Sequence, residues 1–209
     1  MPRRALRKLD PSLDLSRHFR DVEELPRPFD PKALFRRVQP LEVEVGSGKG
    51  LFIASAARAN PEHNFLGIEV SLKYARYAAA KLARQAGENA VLIGGDALLL
   101  FRAWFPDASL AAVHVYFPDP WWKKRHKKRR VLNEQFLRDA ERTLVPCGSL
   151  HFWTDVEEYY RVCDERFKFF KDPLPTSTLL GINKLGMPDM LVEIEVEAMM
   201  DAGRLKIRK

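Results

Sequence analysis

The chain has little of what would assign it to several protein classes. Two cysteines occur among 209 residues, Cys147 and Cys163, in no CxxC pair. This excludes a disulfide framework, and both are expected as buried thiols. Five histidines, at 18, 63, 114, 126 and 151, show no metal-ligand spacing, so no metal is expected. The longest apolar runs, such as Ala97 to Phe101, fall far short of the ~18 residues needed to cross a bilayer, and no membrane association is expected. "MPRRALRKLD" lacks the apolar core of a signal peptide. Asp10, Asp14, Asp21 and Glu23 argue against an acid-poor transit sequence, so a cytoplasmic location is the default expectation. With 46% apolar residues the chain can bury a full core.

Charge is informative once located. Lys and Arg number 35 against 28 Asp and Glu, a net +7, and Lys123 to Arg130 alone holds seven of the positive side chains. Outside that segment the chain is formally neutral. A run of like charges repels itself, and here it follows a strand with no linker; an anionic partner is the expected compensation.

The periodicity predicts strands alternating with helices. "LEVEV" (Leu41 to Val45) reads as a strand, followed by the glycine loop "GSGKG" and a small-residue helix from Leu51 that stops at Asn60-Pro61. "NFLGIEV" (Asn64 to Val70) is a second strand, and Ser71 caps a helix with Tyr74, Ala75, Ala78, Ala79 and Leu82 on one face. "AVLIGGDA", "AAVHVYF" and "SLHFWTD" are further strands. The near-continuous apolar character of "AAVHVYF" suits a parallel strand covered on both faces. Asn133 caps a helix with Phe136, Leu137, Ala140 and Leu144 as its stripe, stopped by Pro146 and Gly148; another helix is expected from about Val156 to Phe170. "LVEIEVEAM" (Leu191 to Met199) alternates strictly and predicts a late antiparallel strand. The fold class is therefore α/β with a doubly wound, mostly parallel sheet. His114 and His151, within strands, are expected as core histidines.

In such sheets a ligand binds outside the carboxyl ends of the strands. Glu44, Glu69, Asp96, Asp119 and Asp155 each stand at or near one of these ends. The loop spacing is G-x-G-x-G (Gly46, Gly48, Gly50), with Leu51 where a dinucleotide fingerprint needs its third glycine, and a Walker lysine with its Ser/Thr is absent at the required spacing. Glu44 would repel a pyrophosphate but attract an amine or sulfonium, while Glu69, about 20 residues beyond the loop, can accept ribose hydroxyls. The acids and the loop together point to S-adenosyl-L-methionine as cofactor.

"EVGSGKG", "GIEV", "GGDA", "FPDPWWKKRHKKRR" and "WTD", in this order over Leu41 to Asp155, resemble the bacterial tRNA (guanine-N7)-methyltransferase (TrmB) family. The FPDPW stretch with its basic run is the specific part; the glycine loop is shared by many methyltransferases. The resemblance implies a Rossmann-like class I methyltransferase fold with a seven-stranded sheet. Residues 1–34, basic and proline-punctuated, are expected as a partly ordered N-terminal arm ahead of a methyltransferase domain over 35–209. It implies methyl transfer to N7 of a guanine in the variable loop of tRNA. Carried over by position, Glu44, Glu69, Asp96 and Asp119, with Gly46 and Gly48 of the loop, are cofactor-binding, and Lys123, Asp155 and Thr178 are substrate-binding. The family pattern T-x-[FY]-E is not kept after Thr178, where Leu180 and Gly181 stand in place of the aromatic and the acid. This leaves a second reading, an RNA-binding module on a methyltransferase fold with altered or lost catalysis. Monomer and homodimer remain equal expectations.

Guanine N7 has an in-plane lone pair and no proton, so its methylation needs alignment rather than a general base. The product base is cationic, and Asp119, between Pro118 and Pro120, is the expected catalytic carboxylate. Of Trp121 and Trp122, one suits a core plug and the other a stacking platform for a base.

Overall fold

The computed structural model describes residues 6–85, 87–119 and 130–154, together with the backbone of 176–182 and 193–199. The chain divides into two compact units, Met1–Ala97 and Leu98–Lys209.

The first unit is a parallel sheet in the order β1-β4-β3-β2, formed by β1 (Phe19–Asp21), β2 (Leu41–Val45), β3 (Asn64–Glu69) and β4 (Ala90–Gly94). Every residue of β4 and all but the last of β3 are buried, as their apolar runs require of strands covered on both sides. Helices α1 (Leu51–Ala59) and α2 (Leu72–Gln85) supply cover, with Ile53, Ala54, Ala57, Ala78, Ala79 and Leu82 packed on Phe65 and Leu92. Full burial of a side chain such as Phe65 contributes about 1.5–3 kcal/mol.

Small residues let these layers approach. A Cβ on Gly67 of β3 would meet Ser47 Oγ at 2.5 Å and Leu92 Cδ1 at 2.6 Å, and one on Gly50 would meet Ala78 Cβ at 2.6 Å. Gly50 also has φ +64°, which L side chains adopt only with strain. Gly50→Ala is expected to cost about 2–4 kcal/mol from overpacking and backbone strain together, measured by urea denaturation. Gly46, with open space around it, should show only the strain. Equal losses at the two positions would contradict this packing account.

The stretch ahead of β2 holds more structure than its composition suggests. β1 adds to the β4 edge in the register Phe19↔Leu92, and His18, buried, places Nδ1 3.0 Å from the Ala90 carbonyl. Gly94 and Gly95 admit the incoming chain, since a Cβ on either would run into Phe19 or Val22. Arg76 lies over the Phe19 ring at 5.2 Å, Arg17 and Arg36 both reach Glu88, and Leu25, Phe29 and Phe35 are buried.

In the second unit the order is β5-β6-β8-β7, from β5 (Leu110–Tyr116), β6 (Leu144–Thr154), β7 (Thr176–Ile182) and β8 (Glu193–Met199). β5 and β6 are parallel, and β8 runs antiparallel to both β6 and β7. Helices α3 (Ala97–Ala103) and α4 (Glu134–Thr143) carry the apolar stripe, with Phe101 edge-on to Phe105 at 5.0 Å and to Phe136 at 5.2 Å. Asn133 caps α4 as expected, its side chain accepting from Phe136 N at 3.0 Å. Arg142 donates to the carbonyls of Phe101 and Phe105, satisfying acceptors that the end of α3 leaves open.

Several expectations need correction. The described residues form six strands in parallel ladders and two antiparallel ones, rather than seven in all: β1 adds to the edge and β7 pairs with β8. Helix α4 ends at Thr143, ahead of Pro146 and Gly148, but the strand expected from Ser149 starts at Leu144, so both residues lie inside β6, where the ladder jumps from Leu110↔Leu144 to Ala112↔Ser149 and absorbs the extra residues as a bulge. Cys147 sits in that bulge at φ +64° and is exposed, not a buried thiol. His114 is buried, but His151 is only half-buried, the two rings stacking at 4.8 Å. Cys163 and the helix expected from Val156 lie outside the described residues.

Candidate cofactor site at the glycine loop

Strand β2 ends at Val45, and Gly46, Ser47, Gly48, Lys49 and Gly50 carry the chain into α1. Gly46, Gly48 and Gly50 have φ of +81°, +51° and +64°, a left-handed succession for which glycine has no steric cost. The loop is pinned to β3, with Gly46 N and Ser47 N both donating to the Ile68 carbonyl, at 2.8 and 3.1 Å. Gly50 N closes it onto the Ser47 carbonyl at 2.8 Å.

Glu69, the last residue of β3, joins this loop to the start of α2. Its Oε2 accepts from Gly48 N at 2.8 Å, and its Oε1 accepts from Ser71 N at 2.9 Å. Two backbone amides thus fix the plane of the carboxylate. Each oxygen retains a lone pair, so a vicinal diol can still donate to both. Ser71 was expected as the cap of α2; its carbonyl does accept from Ala75 N, while its own amide is committed to Glu69.

Glu44 faces the same loop from β2. It is buried, and its Oε2 has no hydrogen-bond partner. Burial drives its carboxyl up to about 7; hydrogen bonds from Ser47 and the Ile53 amide oppose the rise, and the Glu69 carboxylate adds to it. A folded-state value above the ordinary 4.5 means that ionising Glu44 opposes folding. The cost is absent below pH 4.5 and grows until about 7. Glu44→Gln should therefore gain up to about 3 kcal/mol of stability at pH 8 relative to its effect at pH 4, in the absence of ligand. Urea titrations at the two pH values check this, and a pH-independent difference would contradict it.

The loop also offers room. A Cβ on Gly46 would meet nothing within 4 Å, and one on Gly48 only the Gly46 carbonyl at 3.9 Å. Three apolar residues that follow the loop or Glu69 in the chain stay outside the core: Leu51 is 69% exposed, Val70 75% and Leu72 44%. Sequence reasoning missed these three. The signal was available: Leu51 directly follows the loop and lies off the buried stripe of α1, Val70 directly follows Glu69, and Leu72 is the first residue of α2.

Glu44, Gly46, Gly48 and Glu69 are thus brought together. Asp96 is exposed two residues beyond β4. Asp119 is exposed beyond β5 in the second unit, after a turn in which Phe117 takes φ +48° and donates its amide to the Trp153 carbonyl at 2.8 Å. Thr178 lies in β7, opposite Glu197 of β8. Trp121, Trp122, Lys123 and Asp155 lie outside the described residues.

The site fits an adenosyl compound with a cationic end. An amide-fixed carboxylate suits a ribose, exposed apolar side chains suit a flat base, open glycine backbone suits close approach, and a buried unpaired carboxylate suits an ammonium or sulfonium.

Known proteins agree with this reading. A family model described as "Putative methyltransferase" matches residues 38–172. A tRNA (guanine-N(7)-)-methyltransferase of Rhodopirellula baltica is 51% identical over 170 residues, covering 79% of this chain and 63% of the relative. One of the same name from Methylococcus capsulatus is 40% identical over 131 residues, covering 63% of this chain and 57% of the relative. The chain thus spans less than two thirds of the length of these curated relatives. Among solved structures, a SAM-dependent methyltransferase from Aquifex aeolicus superimposes with a TM-score of 0.55 at 14% identity, covering 82% of this chain and 94% of that one. That likeness carries the Rossmann-like class I fold. With the family model matching well over half its residues, the chain belongs to this methyltransferase family, the one its motifs resemble.

Proposed function

We propose that the protein transfers a methyl group from S-adenosyl-L-methionine to N7 of a guanine in tRNA. The observation that carries the cofactor half is the Glu69 carboxylate, fixed by the amides of Gly48 and Ser71 beside an open glycine cradle. The tRNA half is supported by the relatives' names and by the cationic Lys123 to Arg130 run.

When bound, S-adenosyl-L-methionine supplies a methyl group carried on a sulfonium. Glu69 binds the ribose hydroxyls, Gly46 and Gly48 allow the backbone to approach the ligand, and Glu44 balances positive charge at its amino acid end. Asp96 contacts the cofactor, as the family resemblance implies. No residue need remove a proton, because guanine N7 has none; binding and orientation carry most of the acceleration. Asp119 acts where positive charge appears on the guanine as transfer proceeds. Support for that role comes from the turn before it, in which a bulky residue holds a positive φ and a backbone hydrogen bond keeps it there. Lys123, Asp155 and Thr178 bind the RNA, with Lys123 to Arg130 on phosphates.

Incubating unmodified tRNA with methyl-labelled cofactor and mapping the product by chain scission at N7-methylguanine tests this directly. Label at a guanine that becomes a scission point is expected. Label on protein, on another base position, or nowhere would overturn the reading.

A further inference from the structure

The outward side of α2 takes no part in the cofactor site. Over Leu72–Gln85 the helix carries Lys73, Arg76, Lys81 and Arg84 and no acidic residue. At about 100° per residue, Lys73, Tyr77, Lys81 and Arg84 fall in one stripe about 80° wide. Ala75, Ala78, Ala79 and Leu82, all buried, lie across the helix from that stripe, and buried Ala80 borders it beside Lys73. Tyr74 and Tyr77 are half-buried beside the cations.

Neighbouring charges make the stripe harder to explain as a solvated face. Arg84 acts on Asp10, and Arg76 lies over Phe19. For Lys49, Lys73 and Lys81, however, no carboxylate among the described residues makes an ion pair. Partial burial first, and the charge of Lys49 second, hold the Lys81 ammonium below the ordinary lysine range. Lys73 stands in the first turn of α2, where the helix dipole disfavours a cation. The fold thus gathers like charges at a cost to its own stability.

We infer that the Lys73–Tyr77–Lys81 stripe of α2, with Lys49 beside it, is a second docking surface for the phosphate backbone of the substrate RNA. It is distinct in sequence from the Lys123 to Arg130 run, and it rests on the tRNA reading above. Cations eight residues apart on a helix, about 12 Å, can reach phosphates two nucleotides apart along a strand. The tyrosines between them offer ring faces for sugars or unstacked bases, which favours RNA over an acidic protein as the occupant.

The test measures tRNA affinity against salt for the full chain, its Lys73→Gln/Lys81→Gln variant and its Lys73→Arg/Lys81→Arg variant. The Gln pair is expected to lower the slope of log affinity on log salt by about 2 and to weaken binding severalfold at low salt. Its affinity for S-adenosyl-L-methionine should not change, and the Arg pair should keep the original slope. A wild-type chain that binds and methylates tRNA, with a Gln pair of unchanged slope, would overturn this inference alone. A wild-type chain that neither binds nor methylates tRNA would overturn the underlying reading, and this inference with it.

Discussion

Replacing Asp119 with alanine is expected to slow methyl transfer about a hundred- to a thousandfold while leaving tRNA binding nearly intact. The expectation follows from when the charge appears. Before transfer the guanine is neutral and Asp119 gains little from it; as the N–C bond forms, the base becomes cationic and the carboxylate stabilises it. Loss of an interaction made mainly in the transition state lowers turnover and spares affinity. A carboxylate exposed in a short segment after a strained, hydrogen-bonded turn, with a proline on each side in the sequence, is suited to hold one position. Single-turnover kinetics beside tRNA binding will separate the alternatives. Equal loss of both would assign Asp119 to the structure of its loop; loss of neither would remove it from the reaction.

The second large effect is expected at Glu69. Its carboxylate has three tasks at once: it accepts from Gly48 N, accepts from Ser71 N, and retains lone pairs for a ribose. Glu69→Ala removes the ribose acceptors and releases the two amides that shape the loop. With hydrogen bonds to a charged group contributing about 1.5–3 kcal/mol each, cofactor affinity should fall at least about a hundredfold. Calorimetric titration with S-adenosyl-L-methionine measures this. Folding should change far less, because Glu69 is not part of the apolar core beneath the loop. An affinity within a few-fold of wild type would place the ribose elsewhere.

How much of this was legible in the residues depends on where the signal lay. Strands such as β3 and β4 were plain, because an uninterrupted apolar run bounded by turn residues has few other uses. The cap at Asn133 was equally plain, since its chemistry is local. β1 was not, because three residues have no period, and Phe19–Asp21 becomes a strand only through the β4 edge and through glycines that leave room for it. Pro146 and Gly148 were read as a stop, and α4 does end ahead of them, but such residues gave no sign that the next strand already starts at Leu144. A bulge accommodates them inside β6, and Cys147 becomes exposed as a result.

The site divides in the same way. The identities of Glu44 and Glu69, and their places at strand ends, were legible from spacing. The amides that orient Glu69 were not, because Gly48 and Ser71 meet it from opposite sides of β3 in the sequence. The unpaired oxygen of Glu44 was also invisible, since burial is a property of the packed loop. Electrostatics follows burial: an ordinary glutamate in the sequence becomes, under the glycine loop, a group whose ionisation a cationic ligand would favour.

A crystal structure of the chain with S-adenosyl-L-homocysteine would examine the central claim most directly. The expected density shows the ribose hydroxyls on the Glu69 carboxylate, the ligand backbone over Gly46 and Gly48, and the ligand's amino group on the side of Glu44. A ligand bound away from Glu69, or a glycine loop filled by the protein's own side chains at saturating ligand, would contradict it.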